Sequence, residues 1–219
     1  VLYVTFPVQS TYEVDGEMVT ANVALGELAD RYWEFERFEF PLNALLAGQS
    51  TSDAIVFRES QADHARKDAA AADMLGALAE IDAGALCGED QATHALLRHE
   101  LTLIRDLCRA GAHLRPSVFP VGPDFNTIFL ANSTALTTRA EAQAYFARLE
   151  TLPGFIEDLI DNFDAGLERG YRYPRVVLER AIAVVDGYLS GAKETRGLYR
   201  RLMRSPHGEG VSEIAEARM

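Results

Sequence analysis

The chain has 219 residues, of which 48% are hydrophobic and 25% charged, with a net charge of -12 at pH 7 and a pI near 4.9. That is enough apolar material for one large domain or two small ones with real cores, and the acidity excludes binding to a phosphate backbone, which needs clustered Lys and Arg. Cys87 and Cys108 fall in no metal-ligand or redox spacing, so they read as ordinary thiols and no disulfide framework is indicated.

The opening segment, "VLYVTFPVQSTYEVDGEMVTANV", is rich in Val, Tyr, Thr and Phe around a "VDGE" turn signal, which predicts a short hairpin or an extended arm over residues 1–23. It is too short to span a bilayer and lacks a basic region and a cleavage site, so no membrane partner is expected and a cytoplasmic location is the default. From Ala24 the period changes. Leu25, Leu28, Tyr32 and Phe35 define a helix face, and "FPLNALLAG" predicts a short helix with Pro41 near its first turn and Gly48 past its end.

The stretch Glu59 to Asp82 is rich in alanine and charge and predicts a long helix, ended near Gly84. Glu89 to Ala110 predicts the next, acidic at its start and carrying Arg105 and Arg109 near its end. A loop follows over residues 111–137, with three prolines and no sustained period. A connection this long is usually a lid or a binding segment, or else disordered, and Asn126 is its candidate site residue. Thr138 to Glu141 spell a capping box; Ala142, Tyr145, Phe146, Leu149 and Leu152 form the buried face of the helix it opens, up to Pro153. A separate helix is predicted after Pro153, with Ile156, Leu159, Ile160, Phe163 and Leu167 in register and Gly170 as its stop. Pro174 opens another, with Val177, Ala181, Val184, Val185 and Tyr188 on one stripe. Residues 191–219 form a polar tail that reads as the cut-short start of further helices. The expected fold is therefore all-α, an irregular bundle or array of about six to eight helices behind the N-terminal arm, with the helical domain at 24–190.

The stretch "ALLRHELTLIRD" places His99-Glu100 on a helix, which is how a zinc peptidase motif begins. The motif needs a second histidine four residues on, one helical turn away; here that position is Leu103. On a helical wheel Leu96, Leu97, Leu101, Leu103, Ile104, Leu107 and Cys108 form one apolar arc, with Glu100 inside it and His99 at its polar margin. A carboxylate there is costly to bury unless it finds donors. An ion pair with an arginine of a neighbouring helix, Arg148 or Arg180, is the leading expectation, ahead of water at a helix crossing or a role in a cleft. "GYRYPR" sets Arg172 and Arg175 beside Tyr171 and Tyr173 at a helix entrance, where they can grip a carboxylate or simply pack against the cap. No Gly-x-Ser-x-Gly, Walker loop or Gly-x-Gly-x-x-Gly occurs. Asp158, Asp161 and Asp164 read as a solvated helix face.

Four stretches, "LADRYWEFERFEFPLNALLAG", "LLRHEL", "VGPDFNTIFL" and "YFARLETLPGFIEDLIDNFDAGLERGYRYPRVVLERAI", together resemble the bacterial domain-of-unknown-function 885 family, from about Leu25 to Leu189. The most specific part is Tyr145 to Ile182, where Arg148-Leu149, Leu152-Pro153, Gly166, Gly170 and Pro174 keep the family's order. The resemblance implies a mostly helical, metallopeptidase-like protein whose zinc signature lies in a later part, so no metal or catalytic residue carries over and no cofactor is expected within this chain. It also implies a scaffold that meets a peptide substrate together with a missing C-terminal half, with self-association through exposed apolar surface. The alternative is a self-contained helical binding or interaction module.

Overall fold

A computed structural model describes residues 11–14, 17–20, 22–41, 43, 58–86, 88–116 and 138–191, of which the side chains of Arg139, Ala144, Arg148 and Tyr188, like those of the hairpin, are outside the description. The chain divides into two compact units. The first comprises Val1–Ala47 and Glu59–His113; the second comprises Gly48–Arg58 and Leu114–Met219.

The first unit opens with a hairpin, β1 (Thr11–Val14) antiparallel to β2 (Glu17–Thr20), in the register Thr11 to Thr20 and Val14 to Glu17. Helix α1 (Val23–Glu39) starts at Asn22, whose side chain accepts from the Leu25 amide while its own amide donates to Asp90. Helix α2 (Gln61–Ala79) starts at a reciprocal capping box between Ser60 and Asp63. A 3-10 turn at Ala83–Ala85 contains Gly84 and leads into α3 (Gly88–Arg109). The short link makes α2 and α3 antiparallel neighbours, as their contacts show: His94 near the start of α3 lies 3.3 Å from the Leu78 carbonyl, while Arg105 near its end reaches Asp68.

The core of this unit is apolar and drawn from all three helices: Leu25, Leu28, Ala29 and Tyr32 from α1, Ala71, Met74 and Leu78 from α2, and Leu97, Leu101 and Ile104 from α3, with Leu86 below. The α1 stripe follows the expected spacing. On α3 the apolar arc is narrower than expected, because Leu103 and Leu107 are exposed and His94 is buried in their stead. The neighbours on that flank do not reach those two leucines, so their place on the wheel does not bury them. Helix α3 ends at Gly111, which adopts a left-handed φ of 66° that a glycine takes without a Cβ clash, and a short 3-10 turn follows at Ala112–Leu114.

The second unit contains α4 (Arg139–Glu168) and α5 (Arg175–Ser190). Thr138 and Glu141 make the expected capping box. The expected break at Pro153 is corrected: α4 runs through it as one 30-residue helix. Proline forfeits a single amide donor, and with Pro153 and Gly154 both exposed, water can serve the carbonyl left behind. This merger, with most of the "FPLNALLAG" segment outside the described residues, leaves five α-helices among those described rather than six to eight. Gly170 closes α4 with φ 86°, its amide donating to Leu167 O and that of Tyr171 to Gly166 O, the paired bonds of a Schellman motif. Ala142, Tyr145, Phe155 and Leu159 are buried. The stripe on α5 is not: Val184 and Val185 are exposed, as are Val176, Ile182 and Leu189. No described helix is long and apolar enough to cross a membrane.

Candidate functional site

Glu100 is half-buried on the face of α3 that meets α1, while His99 is exposed. Of the arginine partners expected for it, the Arg148 side chain lies outside the described residues, and among those described Glu100 has no ion pair with Arg180 or any other cation. Its surroundings are instead Tyr32 and Glu36 of α1, whose acidities it perturbs. The Tyr32 hydroxyl donates to Glu36 Oε1 at 2.9 Å, and Asn43 Nδ2 donates to the other oxygen at 3.3 Å. Burial raises the Glu36 carboxyl above its ordinary value and the negative charge of Glu100 adds to this, against the lowering effect of its two donors. Burial likewise raises Tyr32, reinforced by Glu36. Two carboxylates thus lie near one phenol in the packing between α1 and α3, and burial favours the protonated forms of Glu36 and Tyr32.

The buried carboxylate that does take an arginine is one the sequence reading passed over. Glu39, at the end of α1, accepts from Arg66 Nε at 2.8 Å and Nη2 at 3.0 Å, a bidentate pair, and Arg66 also contacts Asp63 at 2.6 Å and lies over Phe38. The geometry explains why: Glu39 falls past the last apolar residue of the α1 stripe, where α2 begins.

A second polar group lies along α2. Lys67 is only 2% exposed, its ammonium 3.8 Å from Glu59 Oε1 and 5.2 Å above the centre of the Phe40 ring. His64 Nε2 is 2.9 Å from Glu59 Oε2, and His113 stacks on His64. Burial works to raise the Glu59 carboxyl, but the His64 hydrogen bond and the charges of Lys67, His64 and His113 outweigh it and hold the group below its ordinary value. Burial raises the Cys108 thiol, with the Asp68 charge adding to it. Lys67 was legible in principle, since it precedes Ala71, Met74 and Leu78 at spacings of four, three and four, on the buried stripe itself.

In the second unit the expected residues do not converge. Arg172 donates to the Leu167 and Tyr171 carbonyls and so serves the end of α4, while Arg175 makes an exposed ion pair with Glu179 one turn along α5. The Tyr173 hydroxyl donates to Pro116 O at 2.7 Å, and its ring packs on Phe163. Tyr145 is buried in this unit's core, as is Asn162, which sequence reasoning missed. Asn126 and the Arg148 side chain lie outside the described residues.

The zinc that the family resemblance implies finds no fit in what is described. His99 and Leu103, which would be the two ligand positions of the motif, both lie on exposed helix surface, and no three His, Cys, Asp or Glu side chains among the described residues could hold an ion. No curated protein and no solved structure matches the chain. The sequence model of one family does match, over residues 41–218, a family described as "Bacterial protein of unknown function (DUF885)". That match takes in most of the chain, and the protein belongs to the DUF885 family.

Proposed function

We infer that these residues form the helical scaffold and cleft wall of a metallopeptidase-like hydrolase, with the metal and its catalytic groups supplied by residues other than these, so that the described part is inactive alone. The observation that carries this reading is the apolar surface of α5. Val176, Leu178, Ile182, Val184, Val185 and Leu189 are all exposed on one 16-residue helix. A concentration of apolar side chains facing water on a helix this short marks a surface that is covered in use. The ionisable groups buried in the first unit fit the same reading, since Glu39 with Arg66, and Glu59 with Lys67 and His64, satisfy one another and stabilise the packing.

The test compares the 219-residue chain with one extended by whatever coding sequence follows Met219. The extended protein is expected to bind zinc and cleave peptides, and the 219-residue chain to do neither. Stoichiometric zinc on the shorter chain, lost on His99→Ala, would overturn the reading. An extended frame without a His-Glu and downstream His pair would favour a non-catalytic interaction module.

A further inference from the structure

The scaffold reading makes no use of the contact between His64 and His113. Their rings lie nearly parallel, 13° apart in plane and 4.1 Å between centroids. His64 stands in the first turns of α2, and His113 in the turn Ala112–Leu114 that follows α3. The stack therefore fastens the exit of one helix to the entrance of its antiparallel neighbour.

The charges around the stack are specific. Glu59 faces two basic groups at once, with one oxygen 2.9 Å from His64 Nε2 and the other 3.8 Å from the Lys67 ammonium. Further along α2, Asp68 already faces two guanidinium groups of α3, Arg105 at 3.0 Å and Arg109 at 3.6 Å. The Cys108 thiol of α3 lies among Asp68, Lys67 and Glu59, and burial keeps it neutral. With one imidazolium in the stack, two cations share Glu59. With both rings protonated there are three, two of them face to face.

We propose that the His64–His113 stack is a proton-operated latch, which holds the exit of α3 onto the start of α2 while at most one ring is charged and releases it when acidification charges both. Imidazole is the side chain whose charge changes in mildly acidic water. Two imidazolium rings in contact repel strongly where solvent screens them poorly, and their protonation steps are coupled for the same reason. Gly111, with its left-handed φ, is the pivot between α3 and the turn. The amides of Ala110 and Gly111 donate to Asp106 O and Cys108 O and report whether the helix end is held.

Amide hydrogen exchange on the full chain, near pH 7.5 and near pH 5 and corrected for intrinsic rates, tests the latch across the imidazole range. Protection of Ala110 and Gly111, relative to Leu101 in the core of α3, is expected to fall roughly tenfold or more at the lower pH. His113→Phe keeps a ring on His64 that cannot charge, and His64→Gln keeps a neutral donor to Glu59; each is expected to abolish the fall. An unchanged ratio in the wild-type protein, or the full wild-type fall in either folded variant, would overturn the proposal.

Discussion

Alanine at Gly166 tests the packing of α4 most directly. In the interior of a helix, replacing glycine with alanine ordinarily gains about 1 kcal/mol. At this position a Cβ would overlap the carbonyl oxygen of Leu114, with the Leu114 carbonyl carbon at 3.1 Å and Tyr171 Cδ2 at 3.5 Å. Leu114 is buried and the obstructing atoms are main chain, so relief needs a shift of backbone rather than of a side chain. Overpacking of that kind costs about 1–3 kcal/mol and sometimes more, so Gly166→Ala is expected to destabilise by about 2 kcal/mol. Gly154 supplies the control, because it lies in the same helix with nothing within 4 Å of the added methyl. Alanine there is expected to stabilise by up to about 1 kcal/mol, which puts the two variants about 3 kcal/mol apart and on opposite sides of the wild type. In urea, with a slope of roughly 2 kcal/mol per molar, the unfolding midpoints followed by circular dichroism should differ by about 1.5 M. A Gly166→Ala midpoint at or above that of the wild type would refute the close approach of Leu114 to α4.

Two further variants test the buried acids of the first unit. Arg66→Ala leaves the Glu39 carboxylate buried without its partner; because the arginine side chain is itself 43% exposed, the loss should be nearer about 2 kcal/mol than the larger cost of a fully buried pair, and a midpoint within about 0.5 kcal/mol of wild type would count against the pair. Glu36 binds its proton more tightly in the folded state than its ordinary 4.5, so its favourable contribution is present below that value and is lost as pH rises through the higher folded value. Glu36→Gln, which keeps an acceptor for Tyr32, should therefore gain stability relative to wild type as pH rises above the ordinary carboxyl value; parallel stability curves for the two proteins would show that burial does not perturb Glu36.

Much of the helical architecture was readable from local signals. The Thr138 capping box, the glycine stop at Gly170, the Pro174 entrance and the α1 stripe are all short-range patterns, and the structure places each where the pattern does. Pro153 misleads because its cost depends on whether the freed carbonyl meets water, which is a property of the packed helix. The site was less legible. Glu100 stands out on a wheel as a misplaced acid, but a wheel does not say which neighbour it meets, and the described neighbours include Tyr32 and Glu36 of α1. His64 and His113 are 49 positions apart and meet only because α2 and α3 run antiparallel. The bidentate pair of Glu39 with Arg66 spans 27 positions and is equally invisible to any local pattern.

The division into two units carries a consequence for how the molecule can be taken apart. The chain passes from one unit to the other after Ala47, after Arg58 and again after His113, so Gly48–Arg58 belongs with residues that follow it at a distance in sequence. No single cut of the backbone yields both units whole. Cleavage after His113 separates Gly48–Arg58 from the rest of the second unit, and cleavage within Gly48–Arg58 divides the first unit from its own N-terminal helix. The two units are thus interleaved in sequence, and neither is one uninterrupted stretch of the chain.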